Sequence, residues 1–312
     1  MLAKNNLIRD PRSEPFTGLE TDTPLEVPYL QFPQLSRFDQ VAHAVYTRRG
    51  GVSTSRFSSL NASYSTGDQK EKVTLNLQII REVIGAKDLR FMNQAHGTNI
   101  LVFRNADTHQ PEAPSTGDAM ITDMPDVALM VKQADCQAVL FFDPERGVIS
   151  NAHCGWRGNA QNLLGTVVNR MKDDFGSRPS DIRAAIGPSL GPCCAEFVTH
   201  EEIFPEAFRR FMGRKNYFDL WEVSRAQLLD AGLNPENIEL AGICTRCRTD
   251  LFYSYRGEGV TGRFATVIML TGCCPNLDQR ISEGPPPGWS SLKAQSNSFR
   301  SRAHGLSAGS RP

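Results

Sequence analysis

The sequence of 312 residues lacks the features that would assign it to several large classes of protein. Its 34 Lys and Arg residues balance 34 Asp and Glu residues, so the net charge is zero and favours neither nucleic acid nor an anionic membrane as a partner. The first thirty residues contain no continuous apolar core, and no stretch approaches the roughly 20 apolar residues that a membrane span needs. We therefore expect no secretory signal, no transmembrane segment and a cytoplasmic location.

Two signatures of nucleotide binding are also missing. The chain has neither a P-loop motif nor a GxGxxG motif that follows a strand, so phosphate binding of those two types is unsupported. Eight cysteines are a moderate number for this length, and a disulfide framework is not implied. Hydrophobic residues make up 40% and charged residues 22%, which is ordinary for a soluble globular protein with a substantial core.

The two ends of the chain differ in composition from its middle. Residues 1–36 are polar and proline-rich at first, and we predict a partly disordered N-terminal arm. Three consecutive prolines begin at Pro285, and serines, arginines and glycines follow them with few apolar residues. Such a segment cannot bury enough surface to become ordered, so we predict a disordered tail over residues 275–312.

The middle of the chain is organised around residues 127–175. Three apolar runs, at 127–131, 138–142 and 148–152, predict strands, and apolar residues at helical spacing predict a helix over 163–175. Asp135, Cys136 and His153 lie where these strands end, which is where functional sites are commonly built. Elsewhere we predict helices over 72–84, 201–212 and 220–231, and strands over 41–46, 90–92, 100–103, 182–186, 238–243, 252–255 and 264–270.

Three residues could form a catalytic site. His96, Cys136 and His153 carry imidazole and thiolate groups, and three such ligands with an open fourth position describe catalytic rather than structural zinc. A metal-free alternative pairs Cys136 with His153 as a thiolate–imidazole nucleophile, whose ring Asp135 or an amide would orient. The residues also permit a plain structural role, with a buried thiol and two hydrogen-bonded histidines.

A second group of cysteines allows several interpretations. Cys244 and Cys247 form a CxxC motif, and Cys193 and Cys194 are adjacent. This group could hold structural zinc, carry out redox chemistry or simply pack as apolar thiols beneath a loop. A second CxxC at suitable spacing, which would favour zinc, is missing.

Arginines beside glycine-rich turns suggest an anion site. Arg48 and Arg49 precede two glycines, Arg157 lies between two others near the predicted long helix, and Arg263 follows Gly262. Guanidinium groups beside exposed backbone amides suit a phosphate, although most surface arginines are solvated or paired with carboxylates. Aromatic residues at 252–264 could stack on a purine, but their strand-like spacing is more typical of a core.

Several short motifs occur in this chain in the same order as in the laccase-domain family, which the chain therefore resembles. The family is also called multicopper polyphenol oxidase or YfiH-like. The motifs are TRRGGVS at 47–53, SLN at 59–61, QAHG at 94–97, ADC at 134–136, AHCGWRG at 152–158, IGPSLGPCC at 186–194, CTRC at 244–247, SYR at 254–256 and TGR at 261–263. The resemblance covers residues 37–274. It implies a single α/β (α+β) domain, an αββα sandwich with mixed β-sheets, similar to bacterial toxin deamidases that use a Cys-His pair.

The resemblance also implies a site and an activity. The family's metal ligands correspond to His96, Cys136 and His153, which would be catalytic. The implied activity is purine nucleoside phosphorolysis of adenosine, inosine and methylthioadenosine with phosphate as co-substrate, together with adenosine deamination by water that zinc activates. Arg48 and Arg157 are candidates for binding phosphate, and Asn61 for binding a ribose hydroxyl.

The residues favour zinc over copper despite the family's name. Oxidases with four coppers need many histidines, whereas this chain has six, one of them in the predicted tail. A copper-dependent polyphenol oxidase and a metal-free Cys-His amidohydrolase remain the alternatives, and the oligomeric state is left open.

The sequence departs from the family pattern at two places. Cys154 stands where the family usually has alanine, and Gln137-Ala138 follows Cys136 where a proline often comes second. Neither departure touches a ligand position.

Overall fold

A computed structural model describes residues 27–104 and 114–272. The predicted tail and residues 1–26 of the predicted arm lie outside the described residues. The strands are β1 Tyr29–Leu30, β2 Val41–Tyr46, β3 Asp88–Phe91, β4 Ile100–Phe103, β5 Ala119–Thr122, β6 Val127–Gln133, β7 Gln137–Asp143, β8 Val148–Cys154, β9 Arg183–Ile186, β10 Met212–Arg214, β11 Tyr217–Phe218, β12 Ile238–Leu240 and β13 Phe264–Leu270. The helices are α1 Lys70–Ile84, α2 Trp156–Ala160, α3 Leu163–Phe175, α4 His200–Ile203, α5 Leu220–Asp230 and α6 Tyr255–Glu258.

Two mixed sheets carry the fold. The first has the order β1-β2-β13-β6-β3, in which β13 pairs antiparallel with both of its neighbours and β3 runs parallel to β6. The second has the order β12-β9-β7-β8-β5-β4, with antiparallel pairs at its centre and parallel pairs at both edges. A separate hairpin joins β10 and β11. The predicted α/β class with mixed sheets is therefore confirmed.

The two sheets face each other across the main core. Along β6, Leu129 and Val131 belong to a cluster shared with Leu140 and Phe142 of β7, whereas Ala128 and Met130 belong to a cluster beneath α1. Alternate residues of a strand point to opposite faces, so β6 is covered on both sides. A strand that is buried on both faces has apolar residues in a continuous run without alternation, which is the pattern at the start of β6.

Helices cover the outer faces of both sheets. The apolar face of α1, including Val73, Leu77 and Ile80, packs on the first sheet, and that of α3, including Leu164 and Val168, packs on the second. The layers therefore run helix, sheet, sheet, helix. Within the described chain, none of the helices has the length and apolar character needed to cross a membrane.

Buried polar side chains tie the sheets together. Asn151 of β8 is fully buried and donates through Nδ2 to the carbonyl oxygens of Leu129 and Thr266, each at 2.9 Å. Within the first sheet, Gln133 of β6 donates through Nε2 to Thr266 Oγ1 of β13 at 2.8 Å. A buried amide left without partners is costly, so the two contacts of Asn151 favour one relative placement of the sheets.

Most predicted elements are present, and the exceptions have local causes. The predicted helix over 201–212 is wrong, because Pro205 ends α4 and a 3-10 turn over Glu206–Phe211 follows. The predicted strand over 252–255 is also wrong, because Ser254 caps α6 by accepting from Gly257 N at 3.0 Å. Residues 27–36, which we assigned to the arm, are part of the folded body: Leu35 is fully buried.

Candidate metal centre

The structure brings His96, Cys136 and His153 together, with their ligand atoms within 4.8 Å of one another. We call this group the His–Cys site. His96 lies in the loop between β3 and β4, Cys136 in the connection between β6 and β7, and His153 on β8. Because β6 and β7 belong to different sheets, the site lies where the chain crosses between them.

One buried carboxylate, Asp118, organises the site from behind. Asp118 Oδ1 accepts from His96 N at 2.9 Å and lies 2.9 Å from His153 Nδ1. Asp118 Oδ2 accepts from Gly97 N at 2.7 Å and from Ala95 N at 3.2 Å. The same carboxylate therefore fixes both the loop that carries His96 and the ring of His153.

This arrangement suits a metal ligand. When His153 donates from Nδ1 to Asp118, the lone pair of Nε2 is left for a metal, and a carboxylate behind a histidine is a usual feature of zinc sites. His153 is buried, whereas His96 and Cys136 are half-buried, so the donors have one open side. Two imidazoles, one thiolate and an open side fit a catalytic zinc ion.

The backbone around the donors is shaped to let them meet. A Cβ atom on Gly155 would lie 2.9 Å from Cys136 Sγ and 3.3 Å from His96 Cδ2, so only glycine fits there without displacing a ligand. His96 has a left-handed backbone, with φ of 60°. Gln94 holds this loop against β6 through Oε1, which accepts from Lys132 N at 3.0 Å, and Nε2, which donates to Lys132 O at 2.7 Å.

In the metal-free chain, Cys136 and His153 favour a thiolate–imidazolium pair. Burial alone would raise the pKa of Cys136, but the charge and hydrogen bond of His153, together with His96, outweigh it and lower the pKa to about 6. Burial alone would lower the pKa of His153, but the Cys136 thiolate and Asp118 raise it to about 9. A thiolate near neutral pH is the form that binds a metal or attacks an electrophile.

Asp135 does not orient the histidine ring, contrary to our expectation; Asp118 does. Asp135 Oδ1 instead accepts from Thr245 Oγ1 and Ser254 Oγ, each at 2.7 Å, and Oδ2 accepts from Arg256 N at 2.6 Å. The residue next to Cys136 thus anchors two distant loops. The sequence analysis missed Asp118, although a carboxylate directly before the apolar strand β5 was a usable signal.

Two of the predicted substrate-binding residues belong to a structural framework. Arg48 pairs with Glu258 at 2.8 Å, donates to Thr249 O at 2.7 Å and lies over the ring of Tyr253. Asn61 is fully buried, and its Oδ1 accepts from Arg263 N at 2.9 Å. In this structure Asn61 offers no surface to a ribose hydroxyl and supports the backbone of Arg263.

The other arginines lie differently from the sequence expectation. The long predicted helix is α3, which Asn162 caps. Arg157 does not lie at its start but in the separate short α2, where it is exposed and lies over the ring of Trp156. Arg263 is half-buried, burial lowers its pKa, and the charges of Cys136 and Asp135 act in the opposite direction. Arg263 is therefore the cation that the fold couples to the His–Cys site.

Comparison with known proteins agrees with the fold and the motifs. The chain is 34% identical over 261 residues to a purine nucleoside phosphorylase of Bacteroides thetaiotaomicron, covering 77% of this chain and 96% of that protein. It is 31% identical over 242 residues to purine nucleoside phosphorylase YlmD of Bacillus subtilis, covering 71% and 86%. It is also 30% identical over 250 residues to purine nucleoside phosphorylase YfiH of Escherichia coli, covering 76% and 97%.

Solved structures show the same architecture. The hypothetical protein YfiH of Bacillus licheniformis superposes with a TM-score of 0.71 at 29% identity, covering 80% of this chain and 98% of that one. YlmD of Geobacillus stearothermophilus gives a TM-score of 0.71 at 28% identity, covering 81% and 98%. A family model described as multi-copper polyphenol oxidoreductase laccase matches residues 42–271, and the chain belongs to that family.

Proposed function

We propose that this chain is a purine nucleoside phosphorylase whose reaction takes place at the His–Cys site. The observation that carries the proposal is the convergence of His96, Cys136 and His153 around one open side, with Arg263 coupled to them. Relatives named purine nucleoside phosphorylase support it. The proposed substrates are adenosine, inosine and methylthioadenosine, and the products are the purine base and the 1-phosphate of the sugar.

The proposed reaction exchanges the bond between the sugar and the purine for a bond between the sugar and phosphate. A phosphate oxygen attacks the anomeric carbon as the bond from that carbon to the purine nitrogen breaks, and the proton of the phosphate ends on the departing base. Charge on the sugar develops in an oxocarbenium-like state. Arg263, and Arg157 at the exposed rim, would bind and orient the phosphate, because guanidinium groups match phosphate oxygens in pairs. Asp118 keeps His96 and His153 in place throughout.

We propose zinc as the metal, held by His96, Cys136 and His153. Zinc, when bound there, supplies Lewis acidity to an oxygen or nitrogen at the open side. Soft thiolate and imidazole donors fit zinc, and a single group of three donors does not fit the several coppers of a polyphenol oxidase. The same donor set with an open position is typical of hydrolytic zinc sites, which supports adenosine deamination as a second activity.

A metal-free Cys-His amidohydrolase is the second candidate. Cys136, His153 and Asp118 have the order of contacts of a nucleophile, its base and the group that orients the base. In that function Cys136 would attack an amide carbonyl, and His153 would protonate the leaving nitrogen. Chelation would leave this activity intact, whereas it would abolish a zinc-dependent one.

The deciding experiment is chromatography of the products formed from adenosine with and without phosphate. We expect adenine to form only with phosphate, and inosine to form in both reactions. Cys136→Ala should lose both products while its circular dichroism and thermal unfolding remain those of a folded protein. Full activity of Cys136→Ala would refute the site.

The chain offers a matched control for removal of a thiol. Cys154 is buried directly after His153 and hydrogen-bonds through Sγ to Asn159 Oδ1 at 3.2 Å, outside the His–Cys site. Cys154→Ala should keep its zinc. Loss of activity together with the zinc of the His–Cys site in Cys136→Ala, while Cys154→Ala retains that zinc, would separate the proposed phosphorylase from the amidohydrolase.

A further inference from the structure

The four remaining cysteines of the described chain converge at a second place. Cys193, Cys194, Cys244 and Cys247 have their Sγ atoms within 4.8 Å of one another. We call them the four-cysteine cluster. Cys247 Sγ lies 3.6 Å from both Cys193 Sγ and Cys194 Sγ. A disulfide bond joins two sulfurs at about 2.0 Å, and here one sulfur lies at the same, longer distance from two others. The arrangement is therefore not that of a disulfide pair.

Strand topology explains why the cysteines meet. β9 and β12 are parallel neighbours, so the loops that follow them leave the second sheet at the same edge. The first loop carries Cys193 and Cys194 and the second carries Cys244 and Cys247. Ser189 N donates to Ile243 O at 3.1 Å, and Thr245 N donates to Ser189 O at 3.0 Å, which continues the parallel register into the loops.

Burial argues against ordinary packing of thiols. Cys194 and Cys244 are buried, but Cys193 and Cys247 are exposed. Cysteines that act as small apolar side chains are among the most buried of residues, so two exposed members do not fit that role. Two of the four thiols are accessible to solvent, so an ion could enter the cluster from that side.

The distances match tetrahedral zinc. A Zn–S bond of about 2.3 Å places the sulfurs of a tetrahedral site about 3.8 Å apart, close to the two separations of 3.6 Å. Four thiolates and one zinc ion carry two net negative charges. Arg214 lies beside them and donates through Nη2 to Cys193 O at 3.0 Å, and Arg246 lies between Cys244 and Cys247 in the sequence.

We propose that the four-cysteine cluster is a structural zinc site, distinct from the His–Cys site. Four protein ligands close the coordination sphere, so the ion would cross-link loops and leave no position for substrate. Both loops touch Asp135, the residue before Cys136: Leu190 N donates to Asp135 O at 2.8 Å and Thr245 Oγ1 donates to Asp135 Oδ1 at 2.7 Å. The cross-link would hold one wall of the His–Cys site.

The test is to count zinc in the purified full chain and its variants, using zinc alone as the probe. We expect two zinc ions per chain in the unsubstituted protein, one in Cys136→Ala and one in Cys193→Ser/Cys247→Ser. The triple variant should hold none, and Cys154→Ala should keep two. Cys136→Ala alone keeps the proposal falsifiable if the other variants do not fold, because the proposal requires this variant to retain one zinc ion bound by thiolates.

Cobalt replacement tests the identity of the ligands. Cobalt(II) added to metal-free Cys136→Ala should give a thiolate-to-metal charge-transfer band with the intensity of a site of four thiolates. Absence of zinc and of that band from Cys136→Ala would overturn the proposal, as would a disulfide among these cysteines in protein purified without chelator. Product formation is measured separately, so failure of the structural site and failure of the proposed phosphorylase give different results.

Discussion

The His–Cys site and the four-cysteine cluster hold similar donor atoms in different ways. In the His–Cys site a buried carboxylate, Asp118, holds two of the three donor segments, and one side stays open. In the four-cysteine cluster the neighbouring parallel strands β9 and β12 bring the loops together, and four sulfurs surround the centre. If both groups bind zinc as proposed, the open site needs supporting residues to hold its donors in place, whereas the ion itself can complete a closed set of four thiolates.

Adding one methyl group should break the His–Cys site and leave the four-cysteine cluster intact. In Gly155→Ala the new Cβ would lie 2.9 Å from Cys136 Sγ, so the thiolate must move. We expect kcat/KM for phosphorolysis to fall about 100-fold, the order of loss that follows from misplacing a reacting group by about 1 Å. The matched control is Gly213→Ala, whose new Cβ would have no neighbour within 4 Å. Unchanged kinetics in Gly155→Ala would contradict the placement of Cys136.

Neutralising Asp118 should weaken zinc at the His–Cys site alone. Asp118→Asn keeps the shape but loses the charge opposite His153 Nδ1 and one or more of the acceptors for the loop of His96. Loss of such a supporting partner typically lowers metal affinity 10–100-fold. Competition with a chelator measures the affinity, and Asp143→Asn, another fully buried carboxylate at a strand end, is the control. Equal losses in both variants would argue against a specific role for Asp118.

A buried histidine outside both groups should dominate the acid sensitivity of the fold. His43 Nε2 accepts from Phe32 N at 2.7 Å, and burial lowers its pKa to about 3 from an ordinary 6.5. Below pH 6.5 this histidine binds a proton in the unfolded chain but stays neutral in the folded chain. Its contribution to the free energy of unfolding is therefore fully present above pH 6.5 and is lost as the pH falls towards 3. Between neutral pH and pH 5 the loss from this residue is about 2 kcal/mol.

Urea unfolding at several pH values measures the acid effect of His43. His43→Gln retains an acceptor for Phe32 N but cannot titrate, so its stability should depend less on pH in this range. A profile as steep as that of the unsubstituted protein would place the acid sensitivity elsewhere, including at the two groups of metal donors.

The smallest expected effect lies in the contact that joins the two groups. Thr245 lies between Cys244 and Cys247, is fully buried and donates to Asp135. Thr245→Val removes that hydrogen bond at nearly constant volume, while Asp135 keeps its contacts with Ser254 and Arg256. We expect about 1 kcal/mol less stability in urea unfolding, with both zinc ions retained. Loss of either zinc would show that the groups depend on each other more strongly than one hydrogen bond implies.

Sequence patterns predicted the elements that local composition determines. The strands β6, β7 and β8 and the helix α3 follow from apolar runs and helical spacing, because each buries a continuous apolar face. The helix predicted over 201–212 failed because Pro205 follows the end of α4 and a 3-10 turn replaces the rest of the helix. The strand predicted over 252–255 failed because Phe252 and Tyr253 lie in a loop before α6. Their aromatic side chains correctly indicated burial, but burial does not require a strand.

The site was less accessible to sequence reasoning than the fold. Spacing alone could not select His96, Cys136 and His153, which are far apart in sequence; the family motifs selected them, and the structure brings them together. Asp118 was missed because its role depends on two segments meeting it in three dimensions. Zinc, the nucleosides and the cytoplasmic location stay predictions, as does the similarity to Cys-His toxin deamidases.

The central position of β13 has a consequence for synthesis of the protein. β13 lies between β2 and β6, yet it is the last strand of the described chain to leave the ribosome. Until it emerges, β2 and β6 each expose an unpaired apolar edge, which is the kind of surface that pairs with other chains. A nascent chain that stalls before Phe264 therefore holds all seven donors of the two groups but lacks the central strand of the first sheet.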